Sequence, residues 1–306
     1  MGLDVHDQVT ANRRRSWLLM ASFVALVVTV GVAVGLLLGG GALPVAVALV
    51  VATAGVAGAW WRSDAIALAV SHARPADPVA HARLHNLVEG LCIAGGLPKP
   101  RVYVIEDAAP NAFATGRDPR HAAVVVTTGL LARLDRVELE GVLAHELSHI
   151  RSNDILVSTL AVTLVGVVTL LADVALRFLW WGGPRHRDDR REGGGGPQVV
   201  VAVLGFVLLP VAPLVGLIMR AAVSRPREAL ADVAGVALTR YPPGLISALE
   251  KLRDDTTVVH SASRATAHLW IESPIDRSGG SRQAWLNRQF DTHPPLSERI
   301  EALREL

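Results

Sequence analysis

The sequence predicts an α+β protein, mostly helical, built into a membrane, with a small β-sheet and about four transmembrane helices. Three observations predict it. There are long uncharged runs at 17–61, 155–172 and 198–219. Three short β-branched segments lie between 101 and 128. A stretch with helical periodicity follows Asp135. Composition agrees: 51% of the 306 residues are hydrophobic and mean hydropathy is +0.36, well above an ordinary soluble chain.

Residues 1–16 are polar and end in Arg13-Arg14-Arg15. The uncharged run 17–61 is too long for one span of about 20 residues and suits two. Gly39-Gly40-Gly41-Ala42-Leu43-Pro44 breaks it into a helical hairpin. It is also too long for the apolar core of a cleaved signal peptide, so it reads as an uncleaved anchor. The arginine triplet holds the N-terminus in the cytoplasm, and two crossings return the chain there from Arg62 onward.

Residues 62–154 read as the first part of a mixed domain. Pro78–Ala94 is an amphipathic helix stopped by Gly95-Gly96-Leu97-Pro98. Arg101–Glu106, Asn111–Gly116 and Ala122–Thr128 read as strands, the last two joined by a turn at Asp118-Pro119. Asp135 and Glu138 form a capping-box start to the next helix. Val137, Leu139, Val142, Leu143, Leu147 and Ile150 give that helix an apolar side.

That helix carries His145-Glu146-Leu147-Ser148-His149. Residues four apart share a helix face, so the two imidazoles can offer nitrogens to one tetrahedral Zn²⁺. Glu146 can reach a water at the metal, take its proton and pass it to a leaving amine.

Residues 155–220 read as a second hydrophobic hairpin, kinked at Pro210 and Pro213, with a charged glycine-rich loop at 182–197. Arg185, Arg187, Arg190 and Arg191 in that loop run against the positive-inside tendency, so the hairpin either crosses or lies shallowly. Residues 221–306 read as the second, mainly helical part of the domain, with a helix started by Pro294-Pro295.

Glu228 is the candidate third ligand, since a catalytic zinc site usually has three protein ligands and one open position. Asp232, four residues on, can orient a ligating imidazole through its other nitrogen. Glu228 meets the histidines only if 155–220 crosses the bilayer an even number of times. Helical rise then sets the metal roughly 10 Å from the membrane surface.

Other features point elsewhere. Net charge is +2, lysines are only Lys99 and Lys251, and no basic patch is interleaved with aromatics, so nucleic acid is not an expected partner. The single Cys92 excludes an intrachain disulfide and reads as a small core residue. His81 and His85 are also four apart but lack a following glutamate, and read as a solvated helix face.

Six pieces in this order carry a resemblance: Asn111–Gly116, Val126–Leu131, His145–His149, Arg227-Glu228 with Ala231-Asp232, Ala265–Leu269, and Thr292–Ile300. With the hydrophobic plan, the chain resembles the HtpX/Ste24-like family of membrane zinc endopeptidases, the M48 gluzincins, and within it the bacterial HtpX branch. The resemblance implies a gluzincin-type metalloprotease fold and one Zn²⁺ per subunit on His145, His149 and Glu228, with Glu146 as base and acid. It implies that substrate adds as a strand along Asn111, Ala112, Phe113 and Ala114. His293 would stabilise the oxyanion, supported by Arg299. It implies a multi-pass protein of the bacterial plasma membrane, its site facing the cytoplasm, acting on damaged polypeptides and membrane proteins in quality control under stress.

The chain departs from the pattern at Ala229, where an aromatic residue is common, and at Pro226. Two other readings are a Ste24-like processor of lipidated C-termini and a non-catalytic membrane adaptor. The adaptor reading has no lost ligand or base to support it.

Overall fold

The computed structural model describes residues 5–37, 43–160, 225–255, 257, 269–271 and 294–306, with part of the side chains in the first two helices. Most of the second hairpin, its loop at 182–197, and His293 lie outside the described residues.

Helices α1 (Val5–Leu37) and α2 (Leu43–Val70) pack on each other, and Trp17 stacks on Trp60 with ring centroids 5.9 Å apart. The polar N-terminus is not a separate tail. It is the first turns of α1, continuous with the uncharged run. Counted over the described residues alone, no helix is long and apolar enough to cross a membrane.

The sheet holds four strands in the order β1-β2-β4-β3. These are β1 (Arg74–Pro75), β2 (Arg101–Ile105), β3 (Ala112–Gly116) and β4 (Ala122–Thr127). β2 and β4 are parallel, and the other two pairs are antiparallel. Helices cover both faces, which is why β4 is a continuous apolar run rather than an alternating one. Val124 and Val126 face one core with Ala112 and Ala114; Ala123 and Val125 face another with Phe113, Ile105 and Trp270.

β4 ends one residue earlier than expected because Thr127 caps the next helix, α4 (Thr128–Arg133), accepting from Leu130 N. Helix α3 (Ala82–Gly95) starts later than expected because the Asp77 carboxylate accepts from Val79 N and Ala80 N and holds a turn there. The His85 expectation is corrected: its Nε2 lies 3.0 Å from Ala76 O, against the domain rather than in solvent.

Helix α5 (Arg136–Arg151) lies under the sheet and carries the histidine pair. Its capping box is complete: Asp135 accepts from Val137 N and Glu138 N, and Glu138 accepts from Asp135 N. The same buried Glu138 is held by Lys251 Nζ and Ser247 Oγ, both at 2.6 Å, which ties the start of α5 to α7 (Pro242–Asp254).

Helix α6 (Arg225–Thr239) crosses α5 at Gly235. A Cβ there would sit 3.0 Å from His145 N and 3.1 Å from its Cα, so a larger residue would push the two backbones apart by a few tenths of an ångström. Pro226 is the second residue of α6, where a missing N–H costs nothing, and Ala229 is exposed; neither disturbs the crossing. Helix α8 (Leu296–Arg304) packs on α6 and α7.

After α5, Asn153 turns the chain with φ +56, and residues 154–160 begin a new helix. Ile155, Leu156, Val157 and Leu160 are buried there, and Leu156 and Leu160 pack with Met20 of α1.

Candidate metal centre

The helical spacing of α5 places the two imidazoles on one face, their centroids 4.7 Å apart and edge to face. The Gly235 crossing brings Glu228 of α6 to the same point. His145 Nε2 and His149 Nε2 are 3.1 Å apart. Glu228 Oε2 lies 3.7 Å from His145 Nε2, and Glu228 Oε1 lies 3.7 Å from His149 Nε2. Ligands on a tetrahedral zinc at about 2.0–2.1 Å stand roughly 3.3 Å from one another. The two imidazole nitrogens match that spacing, each has one oxygen of the Glu228 carboxylate 3.7 Å away, and one ligand atom from each of the three residues lies within 4.8 Å of the others.

The other ring nitrogens explain why the donors point inward. His145 Nδ1 is 2.8 Å from Asp232 Oδ1, and His149 Nδ1 is 2.8 Å from Asp154 Oδ2. A carboxylate only accepts, so each Nδ1 carries the proton and donates it. With both rings neutral, each Nε2 then turns its lone pair toward the other and toward a carboxylate. Such a cluster is repulsive alone and suited to a cation.

Charge around the site is arranged to match. Arg299 grips Asp232 with two bonds, Nε to Oδ2 at 2.9 Å and Nη2 to Oδ1 at 2.7 Å. Burial works against the Asp232 carboxylate, but Arg299 and His145 outweigh it and hold its pKa down to about 2. Burial likewise works against the charge on Arg299, and Asp232 outweighs it, so the guanidinium stays charged. In the metal-free site burial opposes a charged His149, yet the carboxylates of Asp154, Glu228 and Glu146 raise its pKa to about 10. Three carboxylates thus favour positive charge at this point.

Glu146 is buried beside the histidines, and burial pushes its pKa up against the opposing effect of His145 and His149. Arg299 Nη2 lies 3.4 Å from both ring nitrogens of His145, and Nη1 donates to Ile271 O at 3.3 Å. The described contacts of Arg299 therefore lead to Asp232, His145, the Ile271 carbonyl and, at 3.9 Å from Nη1, Glu228 Oε2.

Asn111–Ala114 leads into and lies on β3, the outer strand of the sheet. Thr127 N donates to Asn111 O, so Asn111, Phe113 and Thr115 bond toward β4. Ala112, Ala114 and Gly116 face the outer edge. That edge is partly taken by the chain itself. Ile271 N donates to Ala112 O at 3.0 Å, Asn111 Oδ1 accepts from Ala112 N, and Thr159 Oγ1 accepts from Gly116 N. The N–H and C=O of Ala114 face outward with no partner among the described residues.

Two contributors escape the sequence. Asp154 sits in Ser152-Asn153-Asp154, which reads as a helix stop. Trp270-Ile271 carries no strand period, although Trp270 is fully buried against Phe113 with centroids 4.8 Å apart.

A helix bearing the two histidines, a crossing helix bearing the glutamate, and a half-closed edge strand above them define a metallopeptidase. The model of peptidase family M48 matches residues 78–306, and the chain belongs to that family. Within it the chain is HtpX-like. It is 46% identical over 248 residues to a protease HtpX homolog of Thermoanaerobacter pseudethanolicus, covering 81% of this chain and 80% of that one. It is 39% identical over 305 residues to a protease HtpX homolog of Streptococcus gordonii, covering 98% and 99%. Among solved structures it is similar to S. mikatae Ste24p, with TM-score 0.42 and 19% identity over 76% of this chain and 51% of that one.

Proposed function

We propose that the chain is a membrane-anchored zinc endopeptidase that cleaves misfolded or damaged polypeptides, membrane proteins among them, on the cytoplasmic side of a bacterial plasma membrane. One observation carries the reading: two imidazole lone pairs and a carboxylate converge at 3.1–3.7 Å, each ring fixed from behind by an aspartate. His145, His149 and Glu228 hold the ion. Zinc, when bound, supplies Lewis-acid chemistry.

Glu146 takes the proton of the attacking water and delivers it to the leaving amine nitrogen. Asp232 keeps His145 turned inward, and Arg299 keeps Asp232 charged. By the resemblance, His293 donates to the oxyanion. The parts 62–154 and 221–306 form the catalytic domain around the 155–220 hairpin.

The membrane half of the proposal is supported by the uncharged run 17–61 and by the exposed apolar side chains Trp17, Leu18, Leu43, Val50 and Trp61 on α1 and α2. Membranes washed with alkaline carbonate should retain the chain. They should also retain cleavage of unfolded casein that a zinc chelator abolishes and added Zn²⁺ restores. Release into the wash sinks the anchor, and activity indifferent to the chelator sinks the metal mechanism.

Substrate adds as a strand to β3, pairing with the outward N–H and C=O of Ala114, because Ile271 and Thr159 close the groups on either side. Backbone pairing of this kind tolerates varied side chains. In a peptide methylated at each amide nitrogen in turn, one position should lose at least about ten-fold in kcat/KM and its neighbours less. Equal tolerance at every position excludes strand addition.

A further inference from the structure

We propose that Asp154 is the positioning residue of His149, and that α1 holds Asp154 in register through Asn12. The proposal rests on the metal reading above. The two histidines are treated alike on their far sides: Asp232 stands 2.8 Å from His145 Nδ1, and Asp154 stands 2.8 Å from His149 Nδ1. Asp232 comes from a crossing helix and is gripped by Arg299. Asp154 comes from the turn just after α5, with the Arg227 guanidinium acting on it, and its position is set by that turn.

Three features hold it. Asn153, with φ +56, reverses the chain so that Asp154 faces back toward His149. Asparagine is among the few non-glycine residues that adopt this conformation readily. Asp154 then opens the buried helical stretch 154–160, whose Leu156 and Leu160 are locked against Met20 of α1. Finally, Asn12 of α1, itself buried, donates from Nδ2 to Ser152 O at 3.1 Å, pinning the turn. Ser16, one turn along the same helix, is buried too. The anchor helix thus reaches the metal site in three short steps, from Asn12 to Ser152 to Asp154 to His149.

A carboxylate behind a ligating imidazole fixes its tautomer and ring angle and strengthens it as a donor, and losing one typically weakens metal binding 10–100-fold. The full chain, in detergent, would be titrated with Zn²⁺ against a chromophoric chelator, and the visible spectrum of the Co²⁺-loaded protein recorded. Asp154→Ala should weaken zinc by about 10–100-fold and alter the cobalt ligand-field bands. Asp154→Asn, which keeps the shape and an acceptor oxygen but not the charge, should fall between Asp154→Ala and the parent. Asn12→Ala should weaken zinc by roughly three-fold, the scale of one lost hydrogen bond.

Parent-like zinc affinity and cobalt spectrum in Asp154→Ala overturn the proposal while leaving the metal site intact. Should Asp154→Ala fail to fold, parent-like values in Asp154→Asn overturn it instead. Unchanged affinity in Asn12→Ala overturns the α1 part. A parent that binds no zinc overturns the metal reading, and this one with it.

Discussion

Glu146→Gln should lower kcat/KM for peptide hydrolysis by about 10³-fold while leaving one zinc bound per chain. Glutamine matches glutamate in size, so the buried place beside the histidines stays filled. What it cannot do is accept a proton from water and hand it on. The three ligand atoms belong to other residues and keep their 3.1–3.7 Å spacing, so metal content should not change. Hydrolysis and elemental analysis of the same preparation give the answer. Turnover within ten-fold of the parent removes Glu146 from the mechanism. Loss of the metal instead makes Glu146 a ligand and the assignment of Glu228 wrong.

Arg299→Ala should destabilise the folded protein by about 3–5 kcal/mol, because it strands a buried carboxylate that the guanidinium now neutralises. Arg299 is 3% exposed, as is Asp232, and two hydrogen bonds join them. Without Arg299, burial would raise the Asp232 pKa from about 2, and a protonated Asp232 cannot accept from His145 Nδ1 in the same way. Zinc should therefore bind at least about ten-fold more weakly, and the melting temperature should drop on the order of 10 °C. Arg299→Lys should recover only part of both, since one ammonium cannot reproduce the two-pronged grip. Thermal melting and zinc titration check this. Parent-like zinc affinity in Arg299→Ala would mean that Arg299 supports the fold but not the site.

Much of the site is legible before any coordinates. His145 and His149 share a face because helical geometry is local, and the capping box at Asp135 and Glu138 marks where that helix begins. Asn111–Gly116 reads as a strand from its residue types. The stops at Gly95-Gly96 and Thr127 are local chemistry as well, and errors there stay within a few residues. His85 was misplaced for a physical reason: whether a histidine faces water or a carbonyl such as Ala76 O depends on what packs over the helix, and no spacing rule contains that.

The helix with the histidine pair, its candidate general base Glu146 and the long uncharged runs can be read from residue order alone, because each is set by neighbours within a turn or two. Tertiary structure alone decided the distances. Glu228 arrives on a crossing helix, and Gly235 keeps that crossing close at His145. Asp154 meets His149 at 2.8 Å from a turn at Asn153, to which Asn12 of α1 is hydrogen-bonded. Among the described residues, Ile271 and Thr159 reach the outer edge of β3 from far along the chain. Each of these depends on contact between segments distant in sequence, and the residue pattern within any one segment carries no record of it.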